Sequence, residues 1–262
     1  MTALLTDFDT LSSFACTLAD QARLISREHF RRQFDIEAKS DDSPVTVADR
    51  NIEERLRVLI NESFPKHGIL GEEFENEGLD REFVWVLDPI DGTRSFITGM
   101  PTFGTLISLL HNQQPILGVI DMPMLDERWV GGSATQTLFN QTTARTSDCS
   151  SVKACRLAAT QPEMFNQQQL RAFSTIKSQT GFFRYGGDCY NYGLLASGHT
   201  DLVIEADLKP FDYFALVPVI RGAGGVITDW NGDELTLTSA GDVVAAATPA
   251  IHQQALTSLS ST

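Results

Sequence analysis

Acidic residues stand beside small or turn-forming residues at four points of this chain. They are Val45-Thr46-Val47-Ala48-Asp49, Gly71-Glu72-Glu73, Trp85-Val86-Leu87-Asp88-Pro89-Ile90-Asp91-Gly92-Thr93 and Lys209-Pro210-Phe211-Asp212. In the third, an apolar Trp-Val-Leu string reads as a buried strand, so Asp88 falls where that strand leaves the core. Pro89 is expected to stop the ladder there, because it lacks an N–H to donate. Asp91 follows within one turn, close enough to share an ion with Asp88, and Gly92 lets backbone approach a ligand. Carboxylates brought together repel; they take up protons or bind cations. Donor sets made only of oxygen favour Mg²⁺, Mn²⁺ or Ca²⁺.

Other chemistries fit less well. The five histidines are scattered and form no H-E-x-x-H, which argues against a zinc hydrolase. Cys16, Cys149, Cys155 and Cys189 form no C-x-x-C pair and read as reduced structural thiols. Phosphatases with an aspartyl nucleophile carry D-x-D-G-T near the N-terminus, whereas here the two acids stand three apart and a third of the way along. A turn with a solvated charge run is the plain alternative for any one acidic cluster. It is hard to hold for D-P-I-D-G-T with Gly-Glu-Glu sixteen residues upstream.

The elements that must position these acids are legible as alternating patterns. Leu11, Phe14, Ala15, Leu18, Ala22 and Ile25 recur at helical spacing. A turn-rich loop, KSDDSPV over 39–45, precedes a second helix with Val47, Ile52, Leu56, Leu59 and Ile60 on one face, ended by Pro65 and Gly68. Strands are expected at 68–70 and 83–87, and an antiparallel meander at 103–110, 115–121 and 128–131. Beyond Ser151 strands and helices alternate: strands at 157–160, 182–185, 202–205, 226–228 and 243–247, helices at 167–178, 190–196 and 213–221, and a last helix from Pro249. That order predicts an α/β (α+β) layered fold, with an N-terminal lobe over 1–150 carrying the acids and a C-terminal lobe over 151–262 completing the pocket.

The chain has 262 residues, enough to bury roughly three-quarters of its unfolded surface. A net charge of −14 argues against nucleic acid or an anionic membrane as partner. It leaves room for a small phosphate ester if cations reverse the local sign. No apolar run reaches the ~20 residues of a membrane span, and the acidic N-terminus does not resemble a signal peptide, so a cytoplasmic location is expected.

WVLDPIDGTRSF, the upstream GEE and KPFDYFALVPVIRGAGG together resemble the motifs of the inositol monophosphatase family, in order and spacing from Asp49 to Gly225. The text around Gly186-Gly187-Asp188-Cys189-Tyr190-Asn191-Tyr192 and the Thr93-Arg94-Ser95-Phe96 string resemble its histidinol-phosphate phosphatase branch. Inositol-specific relatives are smaller and more neutral at the first of these and usually read T-x-N-F at the second. The resemblance implies a layered α-β-α-β-α sandwich of the inositol monophosphatase and fructose-1,6-bisphosphatase type, a homodimer, and hydrolysis of a phosphate monoester with two or three Mg²⁺ ions, Mn²⁺ being an alternative. It places one ion on Glu72, Asp88 and the Ile90 carbonyl, a second on Asp88, Asp91 and Asp212, and a weaker third beside Glu72. Glu72 and Thr93 would position the attacking water, and Asp49 would orient Thr93. The substrate would meet Asp91, Gly92, Thr93, Arg94, Arg184, Asp188, Glu205 and Asp212. Gly92 and Thr93 N–H groups would receive a phosphate oxygen, and Arg184 would hold the phosphate or a neighbouring acid. Histidinol phosphate carries a cationic amine and an imidazole, which the acids Asp188 and Glu205 would favour. An inositol monophosphatase, a broad sugar-phosphate phosphatase and a non-catalytic binding protein for metal or phosphate ligands are the competing readings.

Overall fold

The structure, a computed structural model, describes residues 2–32, 36–38, 44–133 and 135–260. Most of the KSDDSPV loop, 39–43, lies outside the described residues. In chain order the elements are α1 (Thr2–His29), β1 (Ile36–Ala38), β2 (Pro44–Thr46), α2 (Val47–Ser63), β3 (Gly68–Gly71), β4 (Phe83–Asp91), α3 (Thr93–Ile97), β5 (Gly104–His111), β6 (Gln114–Met122), β7 (Glu127–Gly132), β8 (Thr135–Phe139) and β9 (Thr142–Thr143). They continue as β10 (Arg156–Ala159), α4 (Gln167–Gln179), β11 (Phe182–Tyr185), α5 (Tyr190–Ala196), β12 (Leu202–Glu205), α6 (Pro210–Tyr213), α7 (Leu216–Gly222), β13 (Val226–Thr228), β14 (Val243–Ala246) and α8 (Pro249–Ser260).

Five layers result. A seven-stranded sheet runs β3-β4-β5-β6-β7-β8-β9, and a five-stranded sheet runs β11-β10-β12-β14-β13. The first is antiparallel except for the parallel β3–β4 pair. The second is mixed, with β10 parallel to β11 and β12 and β14 antiparallel to β12 and β13. The apolar stripes of α1 and α2 bury Leu18, Ala22, Ile52 and Leu56 against Trp85, Leu87 and Ile107 on the outer face of the large sheet. Between the sheets, α5 and α7 pack Leu195, Val219 and Ile220 against Ile120, Trp129 and Val203. Outside the small sheet, α4 and α8 cover Leu157, Leu202 and Val244 with Phe173, Ile176 and Ile251. Sheet faces covered on both sides explain why the strands read as nearly continuous apolar runs. Among the described residues no helix is long and apolar enough to cross a membrane.

Two expectations need correction. Pro89 does not end the strand: β4 runs on to Asp91. Asp88 lies opposite Leu106 and Asp91 opposite Gly104, so three steps along β4 match two along β5, with the register shift between them. The extra residue is a β-bulge, the place where a strand tolerates proline. It also resolves the spacing: in a regular strand residues three apart face opposite sides, and one bulged residue returns both acids to the same side. Second, the helix expected over 213–221 begins only at Leu216, as α7, and Tyr213 closes a separate short helix, α6. Strands β8 and β9 had no counterpart in the apolar pattern, because their residues are largely exposed.

Candidate active site

Three carboxylates converge at the bulge. Asp88, Asp91 and Asp212 each offer an oxygen within 4.8 Å of the others. Asp88 is 2% exposed, and its Oδ1 has no hydrogen-bond partner among the described residues. Asp212 arrives from α6, which packs on β4 and β5. Pro210 pre-sets the first turn of that helix, and the Lys209 N–H donates to Asp212 Oδ2 at 2.6 Å, fixing its carboxylate. Asp91 is held by the Cys189 N–H, which donates to its Oδ2 at 2.6 Å. Glu72, directly after β3, adds its charge beside Asp88.

Burial and crowding of like charge push these carboxyls up. Asp88 is raised well above the usual carboxylate range by burial, then by Glu72, Asp91 and Asp212. Asp91 is raised well above it by burial, then by Asp188 and Asp212. Asp212 is raised to about 7 by burial, partly opposed by the Lys209 N–H. Asp49 is raised to about 6 by burial, against two hydrogen bonds from Thr46. A buried nest of oxygen donors with an orphaned Oδ1 fits a hard divalent cation, which would remove both the repulsion and the unmet acceptor.

A pH dependence follows for the cation-free chain. Folded-state pKa values near 6 to 7 exceed the unfolded values of about 4, so the folded state binds more protons across that window. Stability is then highest at low pH within the window and is lost as pH rises through the folded values. With chelator present, the melting temperature is expected to be several degrees higher at about pH 5 than at about pH 8, and saturating Mg²⁺ should abolish the difference. A chelated melting temperature that rises over the same interval would contradict this.

The cluster opens on a cavity of about 330 Å³ lined by Asp91, Asp212, Asp188, Glu205, Arg94 and Thr160, among others. Asp188 has a left-handed backbone, φ 47°, and its Oδ2 accepts from Ser95 Oγ at 2.7 Å. Its carboxyl is raised by burial, opposed by Ser95 and Arg94. A Cβ on Gly92 would lie 2.8 Å from Asp188 Cγ, and Gly92 itself has φ 83°, so two constraints demand glycine there. Glu205 is 2% exposed and is raised by burial to about 7. Its Oε1 accepts from Thr160 N and Oγ1, and its Oε2 from Tyr192 Oη. Arg94 reaches Gln161 Oε1 at 2.7 Å across the mouth.

Not every expected residue is placed as the sequence suggested. Arg184 is exposed and stays out of this cavity; it lines a neighbouring hollow with Arg156, Tyr190 and His199, on the other side of the 186–191 segment. Thr93 Oγ1 donates to the Ile90 carbonyl at 3.1 Å, and Asp49 Oδ2 accepts from Thr46 N and Oγ1, so the expected bond between Asp49 and Thr93 is not formed. Sequence reasoning missed Ser95, Thr160 and Tyr192 as partners of the two pocket acids. It also missed Glu53, although the i,i+4 spacing from Asp49 put both on one face of α2.

Comparison with known proteins shows the family and the fold. The model of the inositol monophosphatase family matches residues 7–262. The chain is 46% identical to the bifunctional phosphatase IMPL2 of Arabidopsis thaliana, described as chloroplastic, over 97% of this chain and 76% of that one. It is 34% identical to a histidinol-phosphatase of Chlorobaculum parvum, over 88% and 90%. A solved inositol monophosphatase from Zymomonas mobilis superimposes with a TM-score of 0.89 at 42% identity, covering 97% of this chain and 98% of that one. With the family model matched over residues 7–262 and the layered fold shared at a TM-score of 0.89, the chain belongs to the inositol monophosphatase family of phosphatases.

Proposed function

We propose that this chain hydrolyses histidinol phosphate with the help of hard divalent cations. The observation that carries the cation dependence is the convergence of Asp88, Asp91 and Asp212 around the orphaned Oδ1 of Asp88. Those three, with Glu72 and the Ile90 carbonyl, would hold Mg²⁺ or Mn²⁺. Their chemistry with such a cation bound would be Lewis-acid polarisation of a phosphoryl oxygen and a water acidic enough to act as nucleophile near neutral pH. The first N–H groups of α3, at Gly92 and Thr93, have no intrahelical acceptor and would receive a phosphate oxygen. Thr93 Oγ1 and Glu72 would orient the attacking water. Asp49 keeps Oδ1 without a partner among the described residues, and that oxygen is the proposed acceptor for the Thr93 hydroxyl.

The choice of substrate rests on Asp188. Its carboxylate lines the cavity beside Asp91 and is steadied by Ser95, so an amine cation would find a fixed partner there. Glu205 has both oxygens engaged by Thr160 and Tyr192, and so contributes negative potential to the pocket wall more than a direct contact. The histidinol-phosphatase of Chlorobaculum parvum supports the same assignment. An inositol phosphate is the second substrate to weigh, because the Zymomonas structure is an inositol monophosphatase. The test is phosphate release from both esters side by side, with and without chelator. Faster turnover of histidinol phosphate, abolished by chelator and restored by Mg²⁺, is expected. Preference for inositol phosphate would overturn the substrate, and chelator-insensitive turnover would overturn the cation dependence.

A further inference from the structure

Glu53 is 0% exposed, yet it lies outside the cavity and belongs to none of the groups described above. From the middle of α2 its carboxylate reaches the turn that follows β3. Oε2 accepts from Glu73 N at 2.7 Å, and Oε1 accepts from Phe74 N at 3.3 Å. On the other side of Glu72, a Cβ on Gly71 would lie 2.0 Å from Glu53 Oε1, so the carboxylate is pressed against that backbone. Glu53 therefore brackets Glu72, touching the residue before it and bonding the two after it. Arg57, one turn further along α2, donates from Nε to Glu53 Oε1 at 2.8 Å, from Nη2 to the Phe74 carbonyl and from Nη1 to Glu77 Oε1. The base of this loop is closed by paired bonds between Ile69 and Glu77, both 2.8 Å.

A buried ion pair is weak grounds for stability, because desolvation offsets its attraction. This pair sends its remaining hydrogen bonds to one place, the turn that presents Glu72 to Asp88. We propose that Glu53 is a positioning residue that fixes Glu72 for cation binding, with Arg57 as its counter-charge. The proposal rests on the reading of Glu72 as a cation ligand. It assigns Glu53 no contact with substrate or water.

The test measures Mn²⁺ binding by electron paramagnetic resonance, with melting temperature in chelator and Mg²⁺-dependence of kcat read alongside. Three variants are compared: Glu53→Gln, Glu53→Asp, and the double variant Glu53→Gln/Arg57→Met, which removes both buried charges and so keeps the fold if the single change does not. Loss of a supporting partner typically weakens metal affinity roughly 10–100-fold. The double variant is expected to lose affinity in that range with its chelated melting temperature near that of the parent, and its kcat should recover at high Mg²⁺. Glu53→Asp should restore part of the affinity. A merely structural role would lower the chelated melting temperature and leave the Mn²⁺ affinity of the folded fraction unchanged, which overturns the proposal. Glu72→Gln is the control: parent-like Mn²⁺ binding in that variant overturns the ligand reading itself.

Discussion

Asp88→Asn is expected to lower kcat/KM roughly a thousandfold or more, about 4 kcal/mol of transition-state stabilisation, while the chain stays folded. Asp88 is the carboxylate that the family resemblance places on both cations, and its Oδ1 is buried without a hydrogen-bond partner among the described residues. An amide there halves the acceptor capacity and removes the charge without changing the shape. The fold should tolerate the exchange, because burial and three neighbouring acids already push this carboxyl toward its protonated form when no cation is present. Melting curves separate the two effects. In chelator the variant should match or exceed the parent, since one repelling charge has gone. With Mg²⁺ the parent should gain stability by mass action, about 2.7 kcal/mol at a hundredfold excess over Kd, and the variant should gain little. Turnover near the parental rate would remove Asp88 from the chemistry.

Asp188→Asn addresses selectivity. The amide keeps an oxygen for the Ser95 hydroxyl and so preserves the loop, but it no longer offers a charge to the amine of histidinol phosphate. A hydrogen bond to a charged group contributes about 1.5–3 kcal/mol, so kcat/KM for histidinol phosphate should fall roughly 10–100-fold. A monoester without a cationic group, such as an inositol phosphate, should lose far less, because it has no amine for Asp188 to hold and the repulsion between Asp188 and Asp91 is relieved. Equal losses on the two esters would mean that Asp188 supports the site in general and does not select the amine.

The contrast between these residues shows what a sequence makes legible here. Asp88, Asp91 and Glu72 were readable because each stands at the end of an apolar run, and the helix of 190–196 and the strand of 202–205 follow from plain apolar periodicity. The bulge at Pro89 was not, since register is set by how β4 pairs with the next strand, β5, and the apolar pattern of β4 alone does not carry it. The break between α6 and α7 escaped notice because Tyr213, Phe214 and Ala215 stay buried through it, so the apolar pattern is uninterrupted. Arg184 illustrates the reverse case: strand β11 was placed correctly, yet its side chain belongs to the neighbouring hollow. Glu53 had a visible spacing from Asp49, but its partners, the Glu73 and Phe74 N–H groups, lie about twenty residues on in a turn with no periodic pattern to point back to it.

Asp88, Asp91 and Asp212 are proposed to form a trap for hard divalent cations. Anomalous scattering from crystals grown with Mn²⁺ tests it most directly. Strong peaks bonded to oxygens of these three carboxylates, with Glu72 at one of them, are expected. Mn²⁺ bound only at other acids, with these three side chains unliganded, would contradict it.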